Sequence, residues 1–511
     1  MPRIRLLLLT AVTLFFSSLL NAKDRPHILF IAIDDLNDWV GPLGHAQAKT
    51  PNMDRLAERG MVFTNAHSPS MVCNPSRTAI MLGLHPSSTG IFGNGPDWRT
   101  IDATKDKITI PRFFKEAGYR TVGAGKLFHG STFAPTAYFG YNDPNGWNAF
   151  WPSLERQLPD ELGPHERPAN GSPDRNFDWS PVAALDSAIG DGQVVSWSVE
   201  KILAEGDDPR FNAVGIYRPH EPWFVPQSYF DLYPLEDIQL PPVIEGDLDD
   251  IPETAKQRRG PPGRTSPYAL HDWVLEDESL KRWKEGVQAY LASISFADTM
   301  LGLVLDALDQ SGRADNTIIV MWSDHGFHLG EKSRWRKGTL WDESHRVPLI
   351  IAAPKVTSPG SVSNTPVSTF DIYSTLAELA GMDKPEHVQG TSLVPILKDP
   401  NQSSNRAVVS TSAFKTHVVS GERFRYLSYP DGSEELYDIE KDPHEWNNLA
   451  SDPAYAEHKT RLAEWLPKKN APQIGGRPGG GPGRQGPGGG RRQQGPGAGR
   501  PQAGPRGEGA R

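Results

Sequence analysis

Six short segments of this 511-residue chain carry side chains able to bind cations, anions or protons. Asp34-Asp35 follows the apolar run His27–Ile33, and Asp324-His325 follows the run Thr317–Trp322. Three carboxylates brought together from two strand ends would form a hard-oxygen cage suited to calcium. Cys73, the only cysteine, opens the sequence Cys73-Asn74-Pro75-Ser76-Arg77. It has no partner for an intramolecular disulfide, so in an exported chain it must be buried, used or modified. Arg77 lies about one helical turn beyond it, from where a guanidinium can reach back toward an anion. Lys126 and His129 are three residues apart in Gly125-Lys126-Leu127-Phe128-His129 and could share a face. His220 stands between prolines in Arg218-Pro219-His220-Glu221-Pro222-Trp223, which restrict the backbone on both sides. Lys337 lies in Trp335-Arg336-Lys337-Gly338. Taken singly, such lysines and histidines are usually solvated charges or structural hydrogen-bonders. Their recurrence after successive apolar runs points to one shared site.

The elements that would bring them together are legible. His27–Ile33 is continuously apolar with β-branched residues, which predicts a strand buried on both faces. Further strands are expected at 119–124, 211–217, 317–322 and 347–353. Helices are expected from Thr50-Pro51 onward and at 109–117, 191–204, 280–310 and 369–379. This alternation predicts an α/β fold, a doubly wound and mostly parallel sheet whose strand carboxyl ends face a ligand crevice. From about residue 400, short alternating runs (407–411, 417–420, 423–429) predict a smaller C-terminal α+β domain carrying an antiparallel sheet. The expected divisions are a signal peptide at 1–22, a catalytic domain at 23–400, a C-terminal subdomain at 401–470 and a disordered tail at 471–511. That tail is Gly, Pro, Arg and Gln with almost nothing to bury.

Charge and export narrow the function classes. The net charge is −9. The tail holds seven Arg and one Glu, or +6, so the remainder carries −9 − 6 = −15. A folded part this acidic argues against nucleic acid as partner. Arg3 and Arg5, then the apolar Leu6–Leu20 with Ala22 at a plausible cleavage point, read as a cleaved secretory signal. No other segment is expected to span a bilayer, so the expectation is a secreted or periplasmic protein without stable membrane insertion.

With the single cysteine, the signal and the ordered basic groups in place, Cys-x-Pro-Ser-Arg resembles the signature of the sulfatase family in the alkaline-phosphatase-like superfamily. The likeness extends from Arg25 to about Ala450 and looks most like the iduronate-2-sulfatase branch. It implies that Cys73 is oxidised to formylglycine by a maturation enzyme. A hydrated aldehyde offers two geminal hydroxyls, one to attack sulfur and one to expel sulfate. It implies one Ca2+ on Asp34, Asp35, Asp324, His325 and the residue at 73. His325 stands where most of the family has Asn, as in that branch, and imidazole also suits softer divalent ions. By the same likeness Lys126 contacts the sulfate and the nucleophile, and His129 supports the nucleophile's hydroxyl. His220 is the acid toward the leaving alcohol, and Lys337 binds the sulfate and bridging oxygen. The expected substrate is a sulfated carbohydrate. Phosphonate or phosphate monoester hydrolysis, and glycan binding without turnover, remain open alternatives. The family's Leu-Thr-Gly-Arg continuation is Met81-Leu82-Gly83-Leu84 here, with His85 as a stand-in for the lost cation. Within 93–99, Trp98 could stack on a sugar and Arg99 could meet an anion, while Glu435–Leu449 matches a common C-terminal ending.

Overall fold

The structure is a computed structural model and describes residues 25–130, 140–256, 265–402 and 405–475. The large sheet contains β1 (His27–Ile33), β2 (Met61–Phe63), β3 (Arg120–Gly125), β4 (Ala149–Trp151), β5 (Arg210–Ile216), β6 (Thr317–Ser323), β7 (Leu349–Ala352) and β8 (Ser361–Ser363). Their spatial order is β8-β2-β7-β6-β1-β5-β3-β4. Every pairing is parallel except those of β7, which runs antiparallel to both β2 and β6.

β1 shows why the sheet needs cover on both sides. Side chains alternate between faces along a strand. Ile28, Phe30 and Ala32 enter one core, and Leu29, Ile31 and Ile33 enter the other. The second core is closed by α1 (Pro51–Arg59), α4 (Gly190–Leu203) and the 30-residue α5 (Lys281–Gln310). The first is closed by α2 (Cys73–Leu82), α3 (Ile110–Glu116) and α6 (Ile372–Leu379). α5 corrects one expectation: it is long and apolar enough to cross a bilayer by itself, yet most of that stretch is buried in the core. A mostly buried core helix needs the same composition as a membrane span.

Register sets the site. Ile33 pairs with Ile216 of β5 and with Ser323 of β6, so residues 34, 217 and 324 leave the sheet at one edge. Gly125 of β3 pairs with Gly215, which places Lys126 at the same edge. Gly215 is required there, because a Cβ on it would lie within 3.0 Å of the Lys126 backbone.

The smaller part is an antiparallel meander of β9 (Val408–Ala413), β10 (Thr416–Ser420), β11 (Phe424–Ser428) and β12 (Glu434–Asp438). Leu462 of α7 (Ala456–Ala463) packs on it with Val419, Phe424 and Leu436. Beyond it, Ala471 N–H donates to Ser87 O (2.7 Å) and Ile474 N–H to Gly90 O (2.9 Å). The chain is therefore held past residue 471, where the tail was expected to begin. Residues 476–511 and the expected signal at 1–22 lie outside the described residues.

Candidate active site

Asp34 continues β1 and donates its N–H to Ile216 O, while Asp35 turns into the left-handed region at φ 58°. Asp tolerates that conformation better than most residues. The Asp35 N–H donates to Asp324 Oδ1 at 3.2 Å, and its carbonyl accepts the Tyr290 hydroxyl at 2.7 Å. The turn thus directs two adjacent carboxylates toward the end of β6, and Asp34, Asp35, Asp324 and His325 are all fully buried.

Cys73 is the first residue of α2, where the helix dipole favours negative charge, while the Asn74 N–H beside it is taken by Asn94 Oδ1. Each residue of its motif has a distinct task. The Asn74 side chain donates to Gly93 O and Pro96 O, pinning the 93–96 loop to the helix start. Pro75 sits in the first turn, where a missing N–H costs nothing. Ser76 Oγ–H donates to Asp324 O at 2.5 Å, tying α2 to the end of β6. Arg77, fully buried, donates to Asp324 Oδ2 (2.7 Å), Asp34 Oδ1 (2.9 Å), and the carbonyls of Lys126 and Leu127. Its hydrogen bonds run to the carboxylates and not to the Cys73 sulfur. Arg77 is therefore placed as the organiser of the acidic cage.

Three groups approach Cys73 Sγ: His325 Nε2 at 3.1 Å, Lys337 Nζ at 3.6 Å and Lys126 Nζ at 4.0 Å. Lys126 also pairs with Asp34, and Lys337 with Asp35. Burial alone would raise the Cys73 thiol pKa, but the two lysines hold it below its ordinary value. Burial also opposes ionisation of Asp34, and Lys126 and Arg77 bring it below the usual carboxylate range. Burial pushes Asp35 up to about 7, against the pull of Lys337. Burial disfavours a charged His325, yet Asp324, Cys73 and Asp35 hold its pKa up at about 9.

His129 and His220 border this centre. Burial, reinforced by the charge of Lys126, lowers His129 to about 3 and His220 well below its ordinary value. His129 Nδ1 is buried without a partner among the described residues. His220 Nδ1 lies 2.5 Å from Glu221 O, so that nitrogen carries the proton and Nε2 is left free. The ring packs 4.7 Å from that of Tyr217, over which Lys126 Nζ sits at 4.8 Å.

A metal fits this donor set. Ligand atoms of Asp34, Cys73, Asp324 and His325 lie within 4.8 Å of one another, and a second such group joins Asp34, Asp35, Cys73 and His220. Asp35 Oδ2 is buried with no hydrogen-bond partner among the described residues, as a carboxylate awaiting a cation would be. The His325 Nδ1–H donates to Gly326 O at 3.0 Å, which turns Nε2 toward the carboxylates.

Two expectations are corrected. Trp98 is 3% exposed and donates to Tyr141 O at 2.6 Å, so it is core and not a sugar platform. Arg99 is held by Asp97 through two nitrogens. His85 bonds Ser87 Oγ and Val409 O beyond the far end of α2, and so does not replace a cation at Cys73. Leu82 and Leu84 are buried in the core, which explains their apolar character.

Sequence reasoning missed Asp191 and Tyr290. Asp191 accepts the N–H groups of Tyr217 (2.6 Å) and Arg218 (2.9 Å) and so fixes the turn carrying His220. An acid in the first turn of an expected helix was the available signal. Tyr290 carried none, since its contact to Asp35 spans 255 positions.

A mostly parallel α/β sheet with a cysteine at a helix start, a cluster of buried carboxylates and converging lysines is the setting of a hydrolase of anionic esters, of the alkaline-phosphatase-like fold. The sulfatase family profile matches residues 26–382, and that of the N-sulphoglucosamine sulphohydrolase C-terminal region matches 330–471. The chain belongs to the sulfatase family and is a sulfuric ester hydrolase. It is 40% identical over 456 residues to a sulfatase of Formosa agariphila, covering 88% of this chain and 87% of that one. It is 30% identical over 414 residues to iduronate 2-sulfatase of Homo sapiens, covering 71% and 70%. Phosphonate monoester hydrolase of Silicibacter pomeroyi shares the fold, with a TM-score of 0.69 at 23% identity over 86% of this chain and 94% of that one.

Proposed function

We propose that this protein removes sulfate from a sulfated carbohydrate, using a formylglycine made from Cys73 and a bound calcium ion. The observation that carries this reading is the convergence of Lys126, Lys337 and His325 on Cys73 Sγ above three buried carboxylates. Formylglycine, once formed by a maturation enzyme, would supply a hydrated aldehyde as nucleophile. Calcium, held by Asp34, Asp35, Asp324 and His325, would supply Lewis-acid charge.

The remaining work falls to side chains of this chain. Three carboxylates balance Arg77, Lys126 and Lys337, so an added divalent charge leaves the centre net positive and attractive to a sulfate monoester. Lys126 and Lys337 reach the atom at position 73 and are placed to bind sulfuryl oxygens. His220 presents Nε2 with Nδ1–H fixed on Glu221 O, the tautomer able to take a proton and pass it to a leaving alcohol. Its lowered pKa keeps it neutral in the free site. An arriving anion favours the imidazolium.

Relatedness to iduronate 2-sulfatase supports a sulfated uronic acid as the sharpest version of the substrate. Export is part of the same reading, supported by the basic and apolar pattern of Arg3, Arg5 and Leu6–Leu20. Likeness to a phosphonate monoester hydrolase favours the second reading, phosphate or phosphonate hydrolysis. The test is a peptide mass spectrum across Cys73 from protein made with a maturation enzyme, followed by rates on 4-nitrophenyl sulfate and phosphate. Formylglycine with faster sulfate cleavage is expected. Intact cysteine with ligand binding and no turnover would overturn the catalytic reading, and faster phosphate cleavage would favour the second.

A further inference from the structure

His220 and Lys337 emerge from strands that are not neighbours. β5 leads to His220 and β6 toward Lys337, and the two are separated by β1. A side-chain bridge joins the two segments. Arg336 Nε donates to the Glu221 carboxylate at 2.9 Å, and Arg336 Nη1 donates to Asp174 Oδ2 at 2.9 Å. All three side chains are 5–8% exposed. Glu221 directly follows His220 and its carbonyl meets His220 Nδ1; Arg336 directly precedes Lys337. Arg336 also has φ 75°, a left-handed conformation that a long side chain adopts only when its surroundings hold it there.

We propose that the Glu221–Arg336 ion pair, steadied by Asp174, is a positioning device that holds His220 and Lys337 together on the leaving-group side of the site. The pair acts through its chain neighbours and not through a hydrogen bond to Cys73. Breaking it leaves Arg336 with Asp174 alone, unties the segment of His220 from that of Lys337, and frees the two backbones to drift independently. The inference rests on the sulfatase reading, in which His220 passes a proton to the leaving alcohol and Lys337 binds the sulfate and its bridging oxygen.

That assignment gives a signature which loss of stability alone would not produce. A nitrophenolate leaves without help, whereas a phenol or alkyl alcohol needs protonation and a cation on the bridging oxygen. The experiment compares wild type and Glu221→Gln, both carrying the matured residue 73, on 4-nitrophenyl sulfate, phenyl sulfate and an alkyl sulfate. For Glu221→Gln, kcat on 4-nitrophenyl sulfate is expected to fall by less than about 5-fold, and on the alkyl ester by about 100-fold, the worth of a displaced general acid. A uniform loss across the series, or no loss, overturns the proposal. Asp174→Asn keeps the Glu221–Arg336 contact and is the milder variant if Glu221→Gln does not fold. The same steepening, smaller in size, is expected from it, and a uniform loss again overturns the proposal. A wild-type enzyme that cleaves no sulfate in the series would instead refute the sulfatase reading beneath it.

Discussion

Replacing Arg77 by Met tests whether the acidic cage is held by this one guanidinium. In the folded chain Arg77 meets Asp324 at 2.7 Å and Asp34 at 2.9 Å with all three side chains at 0% exposure. Removing it leaves three buried carboxylates against two lysines. Asp34 keeps Lys126, while Asp324 falls back on its 3.2 Å bond from Asp35 N–H and on His325 at 3.6 Å. Breaking one side of a buried pair costs about 3–5 kcal/mol, chiefly because the remaining charge is desolvated and unmatched. The assay is denaturant unfolding of purified protein in chelator at neutral pH. Arg77→Met is expected to lose about 3–5 kcal/mol, and to recover part of it in excess calcium, since a bound cation takes over the same carboxylates. Asp324→Asn in the Arg77→Met background should cost less than it does alone, with a coupling of at least about 1.5 kcal/mol. An Arg77→Met protein within about 1 kcal/mol of wild type, or additive losses in the double variant, would refute the idea that Arg77 organises the cage.

Three further outcomes follow from the same geometry. Gly215→Ala should shift the Lys126 backbone, because the added Cβ would stand within 3.0 Å of it; sulfatase activity should fall by at least about 10-fold with far-UV dichroism kept, and unchanged kcat would count against the close approach. Chelation should abolish turnover, and Asp324→Asn should raise the calcium Kd measured by calorimetry; unchanged metal content in that variant would remove Asp324 from the cage. Glu161, its side chain 2% exposed beside Arg218, is pushed up to about 7 by burial, against an ordinary value of 4.5. Between those values the folded state holds a proton that the unfolded state has lost. The stability it contributes is full below about 4.5 and declines as pH rises to about 7, by up to about 3 kcal/mol. In Glu161→Gln that decline should vanish from the pH profile of the unfolding free energy, and an unaltered profile would contradict it.

What the residues disclosed and what they hid divides along sequence distance. β1, β5 and β6 were legible because burial on both faces leaves an uninterrupted apolar run, and the carboxyl-end position of Asp34, Lys126 and Asp324 follows once the strands are parallel. Cys73 was legible because it is the single cysteine of the chain and stands in the sequence Cys73-Asn74-Pro75-Ser76-Arg77, whose order resembles a family signature. The direction of Arg77 was not. Spacing on a helix says that it can reach the nucleophile, but its nitrogens are engaged by acceptors 43 to 247 positions away, and only the folded register reveals them. Trp98 misled for the opposite reason. An aromatic beside an arginine in a glycine-rich loop suggests a rim, whereas its indole N–H is consumed by Tyr141 O and Arg99 is consumed by Asp97. The bridge between His220 and Lys337 is the same lesson carried into function. Glu221 and Arg336 are 115 positions apart and look like ordinary neighbours of the candidate site residues His220 and Lys337. Strand order puts β1 between their strands, and that separation is what gives a buried ion pair between the two segments something to do.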